Sequence, residues 1–374
     1  MFALPDHYID QLETPCVVID ERVARENIAR MQRKVEEAHC KLRPHIKTHK
    51  MPYFAKLQLE AGASGICSCK ISEAEVMADA GIDDIFLAYP LVGKPKILRA
   101  ILLSQKIKRL ILAVDSIEQA AALNEAAQKA GVVLEVRMEV DTGAKRTGVT
   151  ASDRIALAKA LQTMDHLKVT GIYTFKSLVY HGEPTEDNRA AGQEEGEMLR
   201  QIAQEMKEIG YEHLEISGGS TPTGLYVAES GAVDEVRPGT YIFNDYMLTK
   251  EKAATPDQVA VRLFATVVSV PSPEYAVIDG GTKTFPMDIM LDQAPYYYTS
   301  YAMVQGREDL QLRRMNEEHG ILTSTTGKVN LKVGQVLELM PIHVCTAINM
   351  QNNVYIYDGH SLRKERVAAR GMLF

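Results

Sequence analysis

A short basic segment of the sequence, RPHIKTHK at residues 43–50, contains the side chains best suited to covalent chemistry. His45, Lys47 and His49 alternate in it, and we expect it to form the end of a β-strand. Because alternate residues of a strand share a face, the three side chains would point the same way. A lysine crowded by other potential cations on an apolar sheet is a candidate for Schiff-base chemistry. A basic strand end lying in solvent is the alternative interpretation.

A second pair of reactive side chains, His343 and Cys345, lies in the segment PIHVC. On a strand these two residues would share a face and offer an imidazole and a thiolate to a divalent metal ion such as Zn²⁺. Two protein ligands would leave coordination positions for water and substrate, as a catalytic site requires. A packed histidine beside a core cysteine is the alternative interpretation.

A turn rich in glycine and hydroxyl groups, with Gly218, Gly219, Ser220 and Thr221, separates a predicted strand from helix-forming sequence. Backbone N–H groups in such a turn can bind a phosphate, although many Gly-Gly turns only satisfy backbone geometry. A Schiff-base lysine together with a phosphate-binding turn suggests pyridoxal 5′-phosphate. Arg146 would then be a natural neighbour for the pyridine nitrogen, unless it is an ordinary loop arginine.

The pattern of strands and helices indicates what positions these side chains. Eight β-branched segments, each followed by helix-forming sequence, lie at residues 15–20, 42–48, 65–69, 84–90, 109–115, 133–140, 168–175 and 213–219. This alternation predicts an α/β fold, a TIM-like (β/α)₈ barrel, rather than an open doubly wound sheet. Catalytic groups of such barrels lie at the carboxyl ends of the strands, where we place Lys47, Arg146, Tyr173 and His181.

The pattern changes near residue 250, after which short strands bounded by Gly, Pro and Asp predominate. We therefore predict a barrel over residues 16–249 and a C-terminal β-rich domain over residues 250–374. The second domain would carry the metal motif. Residues 1–15 could join it.

Composition excludes several classes of protein. The 374 residues are 46% hydrophobic and 24% charged, as in ordinary soluble proteins with more than one core. A net charge of −7 argues against nucleic acid or an anionic membrane as a partner, and no segment is long and apolar enough to span a membrane. The first residues lack the apolar core of a signal peptide, and the five dispersed cysteines indicate reduced thiols, so we expect a cytoplasmic protein.

Taken together, the motifs resemble those of the D-threonine aldolase and D-serine dehydratase family, which are fold-type III pyridoxal-phosphate enzymes related to alanine racemase. The resemblance extends from about Thr14 to Asp358 and rests on RPHIKTHK, EAEVMADAGIDDIFLAYPLVG, DTGAKRTGV, EISGGSTPTG, VRPGTYIFND, NEEHG and PIHVCTAIN. It implies that Lys47 carries the cofactor and that Arg146 faces its pyridine ring. The predicted cofactor site comprises Lys47, His45, Arg146, Tyr173, Gly218, Gly219, Ser220, Thr221 and Tyr241, and the predicted Zn²⁺ or Mn²⁺ site comprises His343 and Cys345.

The resemblance implies a lyase that acts on β-hydroxy-D-amino acids. Our leading prediction is D-threonine aldolase-like cleavage to glycine and an aldehyde, with His181 as the base that takes the β-hydroxyl proton. Cys345 resembles the D-serine dehydratases instead, because aldolases generally have an aspartate there, so release of ammonia and a 2-oxo acid such as pyruvate is the alternative. Ser177 and Leu178 replace a Gly-His pair of many relatives, which alters the substrate side of the pocket.

Two further alternatives stay open. An amino-acid racemase needs bases on both faces of the substrate, and the tyrosine run Tyr296, Tyr297 and Tyr298 could supply one, but racemisation needs no metal. A cofactor carrier without catalytic activity is the third hypothesis, and the second domain argues against it. We expect a homodimer that binds a small-molecule D-amino acid.

Overall fold

The computed structural model describes residues 2–374, which contain nineteen strands and eleven α-helices, besides short 3-10 helices at Thr240–Ile242 and Pro256–Gln258. The strands are β1 (Cys16–Asp20), β2 (Lys41–Leu42), β3 (Ile66–Ser68), β4 (Asp84–Pro90), β5 (Arg109–Val114), β6 (Leu134–Glu139), β7 (Leu167–Tyr173), β8 (Val179–Tyr180), β9 (Glu183–Pro184), β10 (Glu215–Gly218), β11 (Glu235–Val236), β12 (Val261–Ser272), β13 (Tyr275–Ile278), β14 (Ala302–Val304), β15 (Leu310–Met315), β16 (Gly320–Ser324), β17 (Val336–Pro341), β18 (Asn353–Tyr357) and β19 (Leu362–Arg366). The helices are α1 (Asp6–Ile9), α2 (Glu21–Glu37), α3 (Pro52–Glu60), α4 (Ile71–Asp79), α5 (Lys94–Lys106), α6 (Ile117–Ala130), α7 (Arg154–Leu161), α8 (Asn188–Glu208), α9 (Gly224–Glu229), α10 (Tyr246–Lys250) and α11 (Val344–Asn349). None of the helices in this described part is both long and apolar enough to cross a membrane.

The chain divides into two compact units. The barrel unit comprises residues 30–47, 51–239 and 372–374, and the β unit comprises residues 2–29, 48–50 and 240–371. Residues 16–29 and 240–249, which the sequence pattern placed with the barrel, thus lie in the β unit. Each unit is built around its own sheet.

The barrel unit contains eight parallel strands in the order β2, β11, β10, β7, β6, β5, β4, β3. A parallel bridge between His45 and Cys67 joins the two ends of this order and closes the ring. Apolar side chains, among them Phe86, Ile111 and Tyr173, fill part of the interior. Helices follow most of the strands, as the alternation of patterns in the sequence requires. The predicted TIM-like barrel is therefore confirmed.

One predicted barrel strand is wrong, and one barrel strand was not predicted. Residues 15–20 do not begin the barrel, because β1 pairs antiparallel with β12 and parallel with β18 in the β unit. All five residues of β1 are buried, so the strand has the continuous apolar pattern of a barrel strand without being one. The eighth barrel strand is β11 instead, which is only two residues long and therefore too short to show any periodicity.

The segment around Lys47 also differs from the prediction. Strand β2 ends at Leu42, and residues 46–49 form a turn, so His45, Lys47 and His49 do not alternate along one strand. Pro44 lacks a backbone N–H and cannot donate to a regular ladder, which accounts for the early end of the strand. Beyond Leu42, the bridge from His45 to Cys67 and the backbone hydrogen bonds from Arg43 to Val236 and from His45 to Pro238 continue the pairing.

The β unit contains the predicted C-terminal β-rich domain. Strand β12 pairs with β13 as well as with β17, so β12, β17, β14, β15, β16 and β13 close into a six-stranded antiparallel ring. Strands β1, β18 and β19 extend the same sheet. Phe2 and Cys16 pack with Phe264 and Tyr355, so the beginning of the chain contributes to the core of this unit.

Candidate functional site

Two cations share one aromatic ring in the barrel unit. The Nζ atom of Lys47 lies 5.7 Å from the centre of the Phe175 ring, and the guanidinium carbon of Arg146 lies 4.3 Å from it. Within residues 2–374, neither cation has a carboxylate within ion-pair distance. The ring faces stabilise these charges only weakly, by cation–π attraction. An amine and a guanidinium without carboxylate partners fit an anionic cofactor that carries an aldehyde, such as pyridoxal phosphate.

The turn that carries Lys47 is held by His45. The backbone N–H of Lys47 donates to His45 Nδ1 at 3.2 Å, and the other ring nitrogen, Nε2, lies 3.2 Å from Cys69 Sγ. Because Nδ1 accepts a hydrogen bond, the proton of the neutral ring belongs on Nε2, where it faces the thiol. Burial raises the pKa of Cys69, and this effect outweighs the opposing effect of the neighbouring Lys47 charge. His45 therefore shapes the lysine turn, and Cys69 is a neighbour that the sequence did not single out for this role.

The predicted phosphate-binding turn joins β10 to α9. Gly219 has a φ of 77° and its N–H donates to Glu195 Oε1 at 2.7 Å, while the N–H of Ser220 donates to Thr223 Oγ1 at 3.2 Å. Glu195 is fully buried, and burial raises its pKa to about 7. Two backbone donors that we expected to bind phosphate are thus engaged within the protein. Thr221 follows them in the turn, and Gly218 is the last residue of β10.

The two predicted cofactor-site tyrosines lie in different units. Tyr173 is buried in the barrel, where its hydroxyl donates to Glu139 Oε2 at 2.8 Å and its ring packs edge-on against Phe86 at 4.9 Å. Burial and the neighbouring Glu139 raise the pKa of Tyr173 well above its ordinary value. Tyr241 is buried in the 3-10 helix of the β unit. Contact of either tyrosine with a cofactor stays a prediction.

His181 lies at the tip of the hairpin formed by β8 and β9, which follows β7. Its side chain is 73% exposed, and its Nδ1 lies 2.9 Å from Glu194 Oε1 on α8. The imidazole ring also stacks on Tyr180, with 3.9 Å between the ring centres. The sequence predicted this histidine as a base but gave no sign of its carboxylate partner.

The predicted metal pair does not lie on a strand. Strand β17 ends at Pro341, His343 precedes α11, and Cys345 lies within that helix. Residues two apart on a helix normally face different directions, so the reasoning from strand geometry is wrong. The two side chains are nevertheless hydrogen-bonded to each other, because His343 lies just outside the helix.

Asp288 orients the imidazole of this pair. Its Oδ2 lies 2.6 Å from His343 Nδ1 and accepts a hydrogen bond of 2.8 Å from Thr346 Oγ1. Burial alone would lower the pKa of His343, but Cys345 and Asp288 raise it well above its ordinary value. A carboxylate on one ring nitrogen is the usual arrangement of a metal-binding histidine, which leaves Nε2 and the Cys345 thiol as donors. The pair fits a divalent metal with open coordination positions.

The other possible metal-ligating atoms near the Cys345 thiol are hydroxyl oxygens. Thr48 Oγ1 lies 3.1 Å from Cys345 Sγ, and Thr240 Oγ1 lies 3.5 Å from it. In the part of the chain that the structure describes, no group of three or more His, Cys, Asp or Glu side chains is arranged to hold a metal ion. Asp288 was not predicted because it lies 55 residues from His343 and belongs to no recognisable motif.

Comparison with known proteins shows which family the chain resembles. The family model of the alanine racemase N-terminal domain matches residues 19–247, and that of a putative serine dehydratase domain matches residues 260–357. D-threonine aldolase of Arthrobacter sp. is 29% identical over 99% of this chain and 96% of its own length. D-threo-3-hydroxyaspartate dehydratase of Delftia sp. is 31% identical over 89% of this chain and 91% of its own length.

Solved structures show the same relationship. D-threonine aldolase from Filomicrobium marinum superimposes with a TM-score of 0.86 at 28% identity, and each chain is covered to 97%. The Delftia dehydratase superimposes with a TM-score of 0.86 at 29% identity, covering 95% of this chain and 97% of its own. Its structures include a cysteine-to-alanine variant in the metal-free form and a histidine-to-alanine variant, the two positions being two residues apart. From this sequence similarity and the shared fold, the chain belongs to the D-threonine aldolase and D-serine dehydratase family of alanine racemase-like, pyridoxal phosphate-dependent lyases.

Proposed function

We propose that this protein cleaves the Cα–Cβ bond of β-hydroxy-D-amino acids, giving glycine and an aldehyde. The observation that carries this choice is the pairing of His181 with Glu194, at 2.9 Å from Nδ1 to Oε1. A carboxylate on Nδ1 leaves Nε2 unprotonated and able to accept a proton. Retro-aldol cleavage requires such a base for the β-hydroxyl group, whereas elimination of that hydroxyl group does not.

Lys47 would hold pyridoxal phosphate covalently through its ε-amino group, with Arg146 beside it. When bound, the cofactor withdraws electrons from the Cα atom of an attached amino acid. Both cations would also neutralise the negative charge of cofactor and substrate. They are available for this because neither forms an ion pair with a carboxylate of the described residues. His45 would keep the lysine turn in place through its hydrogen bond to the Lys47 amide.

His343 and Cys345 would hold a divalent metal, Zn²⁺ or Mn²⁺, which supplies Lewis-acid polarisation of the β-hydroxyl oxygen. Asp288 would fix the imidazole for this purpose. The spacing of the pair equals that of the histidine and cysteine replaced in the Delftia dehydratase, whose cysteine variant was solved in the metal-free form.

The residues of this chain would then divide the proton transfers between them. His181 Nε2 takes the proton of the β-hydroxyl group, the C–O bond becomes a carbonyl, and the Cα–Cβ bond breaks with its electron pair left on Cα. Lys47, freed when the substrate amine takes its place and protonated from solvent, gives a proton to Cα to complete glycine. His181 then releases the proton that it took to solvent. Atoms and charge balance without any oxidant or reductant.

Dehydration is the second candidate, and the His343–Cys345 pair favours it because the Delftia relative that shares the spacing is a dehydratase. In that reaction Lys47 removes the α-proton and the β-hydroxyl group departs as hydroxide. Hydrolysis of the product then gives a 2-oxo acid and ammonia. His181 has no necessary part in this sequence of steps.

A product assay distinguishes the two reactions. Purified protein loaded with pyridoxal phosphate and Mn²⁺ or Zn²⁺ should convert D-threonine to equal amounts of glycine and acetaldehyde. Release of ammonia and 2-oxobutanoate from D-threonine, or of pyruvate from D-serine, would replace the aldolase proposal by the dehydratase. Formation of L-allo-threonine from D-threonine, or of L-serine from D-serine, without other products would indicate racemisation at Cα. Homodimer formation and a cytoplasmic location stay predictions, and sedimentation of the purified protein would check the first.

A further inference from the structure

His181 occupies a left-handed position of the backbone at the tip of a tight hairpin. Strands β8 and β9 pair Tyr180 with Glu183, so His181 and Gly182 form a two-residue turn. Their φ angles are 51° and 82°, and positive φ at both positions is typical of a type I′ hairpin turn. Asn-Gly is the favoured sequence there, and histidine is also among the residues enriched at positive φ. The turn therefore places the His181 side chain at the tip of the hairpin, next to α8.

One carboxylate, that of Glu194 on α8, binds both the backbone and the ring of His181. The backbone N–H of His181 donates to Oε1 at 3.1 Å and to Oε2 at 3.2 Å, and Nδ1 lies 2.9 Å from Oε1. Burial alone would raise the pKa of Glu194, but the hydrogen bonds from Lys176 and His181 lower it overall. An ionised carboxylate only accepts hydrogen bonds, so the ring proton belongs on Nδ1 and the Nε2 lone pair stays available.

Lys176 fixes the position of this carboxylate. Its side chain is buried, and its Nζ donates to Glu194 Oε2, to the carbonyl oxygen of Val179 at 2.7 Å and to that of Ala191 at 3.5 Å. The ammonium group thereby ties the first strand of the hairpin to α8. Since all three N–H donors of Lys176 have acceptors, Glu194 is held from one side by lysine and from the other by histidine.

We propose that Glu194 is the positioning residue for His181, which it holds in the tautomer with a basic Nε2 and stabilises when that atom takes the substrate's hydroxyl proton. The inference rests on the proposed function, in which His181 is the base. The arrangement has the logic of a catalytic triad, in which a carboxylate orients a histidine without itself taking the proton. Glu194 touches neither substrate nor cofactor in this scheme.

The kinetic test compares Glu194→Ala, Glu194→Gln, His181→Asn and the double variant His181→Asn/Glu194→Ala. Asparagine suits the turn, so His181→Asn removes the base while keeping the hairpin. Glu194→Ala should lower kcat for D-threonine cleavage roughly 10- to 100-fold, within the range of a general base's contribution, and leave glycine α-proton exchange unchanged. Glu194→Gln should recover most of the rate, because its amide oxygen can still accept the Nδ1 proton. Glu197→Ala, which removes an exposed carboxylate from the same helix, should have no effect.

The double variant decides whether Glu194 acts through His181. If it does, the double variant should cleave D-threonine no more slowly than His181→Asn alone. A rate equal to the product of the two single effects would overturn the inference, as would a Glu194→Ala variant with wild-type kcat. An unchanged rate in His181→Asn would overturn the proposed function together with the inference, whereas failure at Glu194 alone leaves the function standing.

A spectroscopic measurement on the cofactor-free protein gives a readout that does not depend on activity. In ¹⁵N-histidine NMR spectra, the His181 signals are those that His181→Asn lacks. They should show a protonated Nδ1 in the wild type and in Glu194→Gln, and a shift of population toward protonated Nε2 in Glu194→Ala. Identical His181 signals in the wild type and Glu194→Ala would contradict the proposed positioning role.

Discussion

The two ends of the barrel differ in how their charges are paired. At the end where the strands begin, Glu235 accepts from Arg43 Nε at 2.6 Å and from Arg137 at 2.7 Å, and Glu215 accepts from Arg137 at 2.6 Å and from Arg109 at 2.9 Å. At the end where the strands finish, Lys47 and Arg146 both lie near the ring of Phe175, and neither forms an ion pair with a described carboxylate.

This difference separates charges that support the fold from charges that are available for a ligand. Arg43, Arg137 and Glu235 are each at most 1% exposed, so each needs its partners to compensate for lost hydration. Lys47 is only half-buried and does not contribute to such a network. We therefore expect substitutions at the two ends to have opposite consequences for stability and for turnover.

The largest expected effect on turnover is at the end of the barrel where the strands finish. Lys47→Ala should abolish turnover of D-threonine, because it removes the amine proposed to hold the cofactor covalently, while the free energy of unfolding of the cofactor-free protein should change little. Activity assays and urea denaturation of the same preparation measure both quantities. A marked loss of stability would contradict the distinction between the two ends of the barrel, because it would mean that Lys47 supports the fold.

The β unit adds a second test, because its His343 is paired with Asp288 through Nδ1 and with the Cys345 thiol. Cys345→Ala should remove most of the bound metal and most of the turnover while leaving cofactor binding intact, since the two sites use different residues. Elemental analysis and cofactor absorbance measure the two outcomes separately. Cys40→Ala, which removes a thiol elsewhere, is the control. Metal content at the wild-type level in Cys345→Ala would show that the pair is not a ligand set.

At the end where the strands begin, Glu235→Ala should destabilise the fold by about 3–5 kcal/mol, because it breaks two buried ion pairs. Arg43 then keeps only Asp84 and Arg137 keeps only Glu215 as a partner, and both of these carboxylates are partly exposed. The midpoint of urea denaturation measures the loss. Glu125→Ala, which breaks an exposed pair with Lys129 on α6, should leave the midpoint unchanged. Equal midpoints for Glu235→Ala and the wild type would show that the network adds nothing to stability.

A smaller, graded effect is expected from acid. Burial alone would raise the pKa of Glu215 and Glu235, but the neighbouring arginines lower both to about 2. A carboxyl group with a lower pKa when folded stabilises the protein above its unfolded pKa, and this contribution is lost as the pH falls through the folded pKa. Stability should therefore decline between pH 4.5 and pH 2, and less steeply in Glu235→Ala. Identical slopes of unfolding free energy against pH in both proteins would contradict this.

The parts of the fold that the sequence predicts well are those with strong local patterns. Strands such as β4 and β5 are apolar runs followed by amphipathic helices, and such units form a barrel. Strand β1 has the same pattern, but its partner strands lie more than 240 residues away, so its sheet cannot be assigned locally. Strand β11 is too short to have a pattern.

The site shows the same limit. The types and spacing of Lys47, His343 and Cys345 indicate their chemistry, although the turn and the helix that present them differ from the predicted strands. Their carboxylate neighbours could not be predicted, because Asp288 approaches His343 only through the tertiary fold. Glu194 lies 13 residues after His181, a separation that no single helix or strand would bring together.

We propose above all that Lys47, at the end of the barrel where the strands finish, holds the cofactor. The most direct test is borohydride reduction of the pyridoxal phosphate-loaded protein, followed by proteolysis and mass spectrometry of the labelled peptides. We predict one label per chain, on the peptide that contains Lys47, and no label in Lys47→Ala. A label on another lysine, such as the ion-paired Lys176, or a stable adduct in Lys47→Ala, would contradict the claim.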